Sequence, residues 1–154
     1  MSASVLERLA DLGVTLPSPA APAANYIPFV RTGNQLFVSG QIPMIDGTLT
    51  VVGKLGDGVS VEDGQKAAKD CAINLLAQAN AALGGLESVR LVKLVGFVNS
   101  TPDFGDQPKV VNGASDFMVA ALGEAGRHAR SAVGVAALPF GVAVEVEAIF
   151  EVEG

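Results

Sequence analysis

The fold is decided by residues 130–152, which read RSAVGVAALPFGVAVEVEAIFEV. Apolar side chains occupy every second position from Val142 to Val152, and glutamates fill three of the positions between them. A period of two is typical of a strand with one buried face. Residues 130–136 predict a second strand. The Leu-Pro-Phe-Gly connection then predicts a hairpin that brings Arg130 and Glu145 side by side.

Upstream of this stretch, residues 60–83 predict a long helix with an apolar stripe at steps of three and four. Ser60 and Asp63 have the spacing of a capping box, and Gly84 ends the helix. Residues 89–99 predict a strand that is apolar on both faces except at Lys93.

A second long helix is predicted to open at Asp106 and Pro108 and to end at Gly123 and Gly126. Its inner face is expected to carry Val110, Val111, Ala114, Phe117, Met118, Ala121 and Leu122.

The first strands are predicted at residues 27–32 and 35–40, joined by a two-residue Gly33-Asn34 turn. A short strand is expected within residues 48–55, inside a glycine-rich loop that ends near Gly58. Residues 4–12 predict a short helix. Residues 16–24 are rich in Pro and Ala, Pro22 among them, and predict an extended arm. We therefore divide the chain into an N-terminal helix and arm (residues 1–24) and one domain (residues 25–154).

The predicted order is ββαβαββ, an α+β fold with two long helices on one face of the sheet. The opposite face keeps apolar residues from several strands, which should not be left in water. Assembly with further copies of the chain covers such a face economically, so we expect a homo-oligomer.

Composition excludes several functional classes. The chain has 10 basic and 16 acidic residues and a net charge of −6, which disfavours a nucleic-acid partner. It has no apolar run long enough to span a membrane. A lone cysteine, Cys71, and a start without a secretory pattern favour a cytoplasmic location.

Arg130 is the strongest candidate for a functional residue. Its side of the strand continues as Ala132, Gly134 and Ala136, which leave space beside the guanidinium. Either these small residues let a helix or a neighbouring subunit pack closely, or Arg130 offers its planar fork to a carboxylate. Glu145 is either a solvated residue or a group that holds water or relays a proton.

Other chemistries have little support. The only histidine, His128, is expected in a surface loop or turn, and no nucleophile elbow occurs. One histidine and one cysteine cannot build a structural zinc site, and nucleotide-binding glycine patterns are absent. We therefore expect neither metal nor organic cofactor.

Three segments together resemble the Rid (YjgF-like) family, which includes 2-iminobutanoate/2-iminopropanoate deaminases. They are Asn25-Tyr26 through Ser39-Gly40-Gln41-Ile42-Pro43, Val111-Asn112-Gly113, and Arg130-Ser131 through Leu138-Pro139 to the Val-Glu-Val-Glu-Ala-Ile strand. The likeness spans residues 25–152. It implies a chorismate-mutase-like fold and a homotrimer with sites between subunits.

The same resemblance implies roles for individual residues. Arg130 would hold the carboxylate of a small metabolite, and Glu145 would position water or a proton. The residues implied to line the pocket are Tyr26, Ser39, Asn112 and Ala132. Short family members often carry Cys where this chain has Ala132. The implied activity is hydrolytic deamination of 2-imino or enamine acids. A non-catalytic carboxylate or keto-acid binding protein and, less favoured, an endoribonuclease are the alternatives.

Overall fold

The computed structural model describes residues 3–19, 21 and 24–153, so Pro22 of the predicted arm lies outside the described residues. Helices are α1 (Val5–Asp11), α2 (Val61–Leu83) and α3 (Gln107–Leu122). Strands are β1 (Phe29–Thr32), β2 (Gln35–Gln41), β3 (Met44–Ile45), β4 (Thr48–Leu49), β5 (Lys54–Leu55), β6 (Gly58–Val59), β7 (Val89–Asn99), β8 (Ala129–Val135) and β9 (Val144–Val152). The order confirms the ββαβαββ prediction for the main sheet.

The main sheet has five strands in the order β1-β2-β9-β7-β8. Strand β7 pairs in parallel with β8 and antiparallel with β9, so it separates the two strands that were predicted to form a hairpin. That prediction was wrong because residues 136–143 are long enough to carry the chain over the end of β7. At this end of β7, the backbone N–H of Asn99 donates to the backbone oxygen of Ala143 at 2.9 Å.

Both long helices follow the predicted pattern. The Ser60 hydroxyl accepts from the amide of Asp63 at 3.1 Å, and Gly84 ends α2 in the left-handed conformation. All seven residues predicted for the inner face of α3 are buried. The Asp106 side chain makes no capping hydrogen bond, although the helix begins directly after it.

The helices pack on one face of the sheet and touch each other closely at Gly113 of α3. A β-carbon at Gly113 would lie 2.1 Å from the backbone oxygen of Gln65 in α2. Gly96 in β7 also allows a close contact, since a β-carbon there would meet the Val111 side chain at 2.6 Å. These two glycines let α3 pack closely against both α2 and the sheet.

Gly113→Ala is therefore expected to destabilise the chain by about 2 kcal/mol, because the obstacle is backbone that cannot rotate away. Urea unfolding would measure the change. Gly105→Ala is the matched control, because a β-carbon at Gly105 meets no atom within 4 Å. Equal stability of the two variants would contradict the close approach of the helices.

The glycine-rich loop is more structured than predicted. In place of one strand within residues 48–55, it forms an antiparallel β3-β4 pair and a parallel β5-β6 pair. Asp46 and Gly47 turn between β3 and β4, both with positive φ. The second pair fixes the backbone of Lys54 near the end of β8.

The N-terminal helix α1 packs against α3. Ser4 forms a complete capping box with Glu7, and the Val5 amide donates to the Glu87 carboxylate at 2.9 Å. Val5 and Leu9 are buried, whereas Leu6 is 68% exposed. Among the described residues, no helix has the length and apolar character needed to cross a membrane.

The second face of the sheet, which we call the open face, has none of the described helices packed over it. Val30, Phe37 and Val133 remain between 41% and 51% exposed on the surface of the chain. The open face confirms the prediction that apolar strand residues are left uncovered in one copy of the chain.

Candidate functional site

Arg130 lies on the edge strand β8 and reaches towards α3. One terminal nitrogen (Nη1) donates to Asn112 Oδ1 at 2.8 Å and to Ser115 Oγ at 3.2 Å. The other (Nη2) donates to the backbone oxygen of Pro108 at 3.3 Å. All three acceptors are neutral, and within the described residues no carboxylate lies within ion-pair distance of the guanidinium. Arg130 is therefore held in place without its charge being neutralised.

A short hydrogen-bond chain fixes the orientation of this arginine. His128 Nδ1 lies 2.6 Å from the Gly126 carbonyl, which can only accept, so this nitrogen carries the proton. In the neutral ring, Nε2 then accepts from the Ser115 hydroxyl at 2.9 Å. Ser115 in turn accepts from Arg130. His128 lies in the loop before β8, as predicted, and it is half-buried.

The small residues that follow Arg130 bear out the first alternative, close packing of a helix, whereas the cavity that Arg130 itself lines, of about 290 Å³, is formed with Ser115, Val119, Arg127 and His128. A β-carbon at Gly134 would come within 2.8 Å of Ser100 Oγ and Gln107 Nε2, so the start of α3 does pack closely there. Beside this contact lies a cleft of about 570 Å³ lined by Lys54, Ser100, Thr101, Pro102, Gln107, Gly134, Val135 and Ala136. We call it the Lys54 cleft.

A second group of candidate residues surrounds another cleft, of about 360 Å³. Its walls include Tyr26, Gly40, Phe140 and Glu145, with Met44 and Pro139 beside them. Tyr26 is 49% exposed and supplies an aromatic wall. Ser39 is exposed directly before Gly40.

A β-bulge explains the Ser-Gly-Gln sequence. The pairing of β2 with β9 slips between Val38 and Gln41, so that two residues, Ser39 and Gly40, oppose the single residue Glu147 of β9. The carboxylate of Glu145 lies directly over Gly40, where a β-carbon would sit 2.5 Å from its Oε2 atom. Only glycine leaves room for this carboxylate.

The environment of Glu145 perturbs its protonation. Burial raises the pKa of Glu145 above its ordinary value, and the neighbouring Glu147 carboxylate raises it further. A raised pKa makes the Glu145 carboxylate a stronger proton acceptor than an ordinary glutamate.

Arg130 and Glu145 face opposite sides of the sheet. Arg130 of β8 lies opposite Leu94 of β7, which in turn lies opposite Ala148 of β9. Leu94 and Ala148 are both buried beneath the helices. Glu145 pairs with Phe97, which pairs with Val133 on the open face. Residues opposite each other on adjacent strands point to the same side of the sheet, whereas Leu94 and Phe97, three positions apart on β7, point to opposite sides. One copy of the chain therefore cannot place both side chains on the same ligand.

The structure thus sorts the predicted site residues into two groups. Asn112 and Ala132 lie with Arg130, whereas Tyr26 and Ser39 lie near Glu145. Sequence reasoning missed Ser115 and Lys54. Ser115 lies three positions after Asn112 on the same helix, a spacing that could have indicated it.

The comparison with protein families decides the classification. The model described as "YjgF/chorismate_mutase-like, putative endoribonuclease" matches residues 6–151. The chain belongs to this family. The match includes most of α1, and it covers both groups of candidate residues.

Individual family members extend this result. Protein TCP17 of Trypanosoma cruzi is 52% identical over 97% of this chain and 95% of its own length. The crystal structure of Atu1372, a protein of unknown function from Agrobacterium tumefaciens, is 50% identical with a TM-score of 0.91, covering 97% of this chain and 92% of that one. A Shewanella oneidensis family member, 33% identical and covering 97% of this chain and 100% of its own, reaches a TM-score of 0.94.

Proposed function

We propose that this chain hydrolyses 2-imino and enamine acids to 2-oxo acids and ammonia. The observation that carries the proposal is the guanidinium of Arg130, which is oriented by Asn112 and Ser115 and has no acidic partner within the described residues. An arginine held in this way suits a carboxylate, which both of its terminal nitrogens can grip. The carboxylate sits beside the reacting carbon of a 2-imino acid.

The reaction needs positioned water and proton transfer. Water oxygen bonds to the imine carbon while the C=N electron pair moves to nitrogen, which gains a proton. The C–N bond of the resulting carbinolamine then breaks, ammonia leaves, and loss of the hydroxyl proton gives the 2-oxo acid. Glu145 takes one proton from the attacking water and passes it to the imine nitrogen, then takes the hydroxyl proton of the carbinolamine and passes it to the departing nitrogen, a role for which its raised pKa suits it. Fixing water against the imine carbon supplies much of the rate gain.

We further propose that each site lies between two subunits of a homotrimer. Arg130 with Asn112 comes from one subunit, and Glu145 with Tyr26 and Ser39 comes from its neighbour. The opposite orientation of Arg130 and Glu145 in one subunit supports this arrangement. A site shared between two subunits can bring the Arg130 of one and the Glu145 of the other to the same ligand. The exposed apolar residues of the open face supply a surface for the contact.

One relative supports this class of ligand, and a second supports the resemblance to the Rid family. The crystal structure of Escherichia coli TdcF contains bound serine, a small molecule with a carboxylate beside a nitrogen-bearing carbon; TdcF is 27% identical with a TM-score of 0.65. RidA from an Antarctic Psychrobacter is 31% identical with a TM-score of 0.62. Ribonuclease activity is disfavoured because a chain of net charge −6 repels a phosphate backbone.

A subunit-mixing experiment tests the proposal. Arg130→Met and Glu145→Gln trimers should each be nearly inactive towards freshly generated 2-iminopropanoate. Unfolding and refolding them together at equal amounts should restore about one quarter of the sites. A working site needs a subunit with intact Arg130 on one side and a subunit with intact Glu145 on the other, and each position has an even chance of being filled correctly. Ammonia release measures the recovery.

Each variant refolded alone is the control and should stay inactive. No recovery in the mixture, with mixed trimers verified by mass, would contradict a site shared in this way. Binding of 2-oxo acids without any turnover by the wild type would instead identify a carboxylate-binding protein.

A further inference from the structure

We infer that the Lys54 cleft binds a second anionic group of the ligand, so that the preferred substrates are imino acids with an acidic side chain. The inference rests on the proposed carboxylate contact at Arg130 and adds to it the part of the substrate that distinguishes one imino acid from another. It also gives a function to the glycine-rich loop, which carries Lys54.

The ammonium group of Lys54 is held in one place. Lys54 Nζ donates to Asn99 Oδ1 at 2.7 Å and to the backbone oxygen of Ala136. Asn99 is 5% exposed, and its amide nitrogen donates to the backbone oxygens of Gly53 and Val142 at 3.2 and 3.1 Å. A buried, fully oriented amide therefore fixes the lysine at the edge of the cleft.

The charge of Lys54 has no counter-charge among the described residues. Its two partners are neutral oxygens, and no carboxylate lies within 4.0 Å of its nitrogen. An ammonium has three donors, so one is left for a ligand. In a chain with an excess of six acidic charges, an ammonium more than 4.0 Å from the carboxylates of the described residues favours an incoming anion.

The Lys54 cleft adjoins the Arg130 contact. Arg130 donates to the Pro108 oxygen, and the preceding residue, Gln107, lines the cleft. Gln107 is held by the Phe104 oxygen at 2.8 Å and contacts Ser100 Oγ at 3.4 Å. Arg130 and Gly134 lie on the same side of β8, about 13 Å apart along the strand at their α-carbons. Because Ser100 Oγ and Gln107 Nε2 occupy the space over Gly134, a ligand bound by Arg130 would reach the cleft past Pro108 and Gln107.

Calorimetry with stable 2-oxo acids tests the inference directly. A homologous series of 2-oxo dicarboxylates is compared with monocarboxylates of the same length, and a third series carries a terminal phosphate. The best dicarboxylate or phosphate ligand should bind about tenfold more tightly than its monocarboxylate counterpart, as one charge-assisted hydrogen bond provides. The better of the two series identifies the anion.

Lys54→Met should abolish this advantage while leaving monocarboxylate affinity within about twofold, because the Arg130 contact is untouched. Lys54→Arg should retain part of the advantage. Lys66→Met, which removes the same charge from the surface of α2, is the control and should keep it in full. If Lys54 has only a structural role, Lys54→Met should weaken the binding of all three ligand series equally or lower only the thermal stability.

Equal affinity of all series in the wild type, or an advantage that survives Lys54→Met, would overturn the inference and leave the proposed deaminase intact. Failure of every series to bind would overturn both. Selective dicarboxylate or phosphate binding without imine turnover would reject the deaminase alone.

Discussion

Arg130→Met should lower kcat/KM for 2-imino acids about a thousandfold while the fold persists. The substitution removes two charge-assisted hydrogen bonds to the substrate carboxylate, which together contribute about 4 kcal/mol. It keeps the length and apolar character of the side-chain stem. Ammonia release from freshly generated 2-iminopropanoate measures the loss, and circular dichroism with thermal unfolding verifies that the variant is folded.

Two further substitutions make this result specific. Arg130→Lys keeps the charge but loses the planar fork, so we expect it to recover only a small part of the activity. Arg31→Met removes an exposed guanidinium on β1, at the far edge of the sheet, where it donates to the Gly33 oxygen at 3.2 Å, and should be nearly silent. An active Arg130→Met protein would reject the carboxylate contact, and equal losses at Arg31 and Arg130 would point to a general charge effect.

Glu145→Gln should lower kcat about a hundredfold and stabilise the protein near neutral pH. The loss of activity follows from removing the proton acceptor. The gain in stability follows from burial and Glu147, which both raise the pKa of Glu145 in the folded chain. The folded state then holds the proton more strongly than the unfolded state, so ionisation of Glu145 costs stability as the pH rises from its ordinary pKa to the raised one.

The stabilising effect of Glu145→Gln should accordingly fade as the pH falls below the ordinary glutamate pKa, where both states are protonated. Thermal unfolding across that pH range measures it. The wild-type rate should fall on the acid side as Glu145 becomes protonated. Glu147→Gln removes the neighbouring carboxylate and should move this fall to lower pH. If the rate of Glu147→Gln falls at the same pH as that of the wild type, protonation of Glu145 does not cause the fall.

The elements of the fold were predictable because their signals are local. Alternation in β9, the Ser60 cap and Gly84 stop of α2, and the seven inner residues of α3 each depend on neighbours along the chain. The roles implied for Arg130, Asn112 and Glu145 came from short segments that resemble a family. Those roles remain predictions, although the contact between Arg130 and Asn112 agrees with them.

The strand neighbours were not predictable in the same way. A Leu-Pro turn between two strands indicates a hairpin, yet β7 lies between β8 and β9. Pairing β7 with both strands buries Leu91, Leu94 and Val98 beneath the helices. Strand order is settled by the whole sheet and both helices together, which no window of residues contains.

Local periodicity and capping in the chain were thus sufficient for the helices, the main strands and an open apolar face, since each follows from residues a few positions apart. Tertiary structure alone placed Arg130 and Glu145 on opposite sides of the sheet, set Ser115 and His128 behind the arginine, and brought Lys54 to the end of β8. Those contacts join residues from separate elements, and their geometry depends on strand order and on how closely α3 packs.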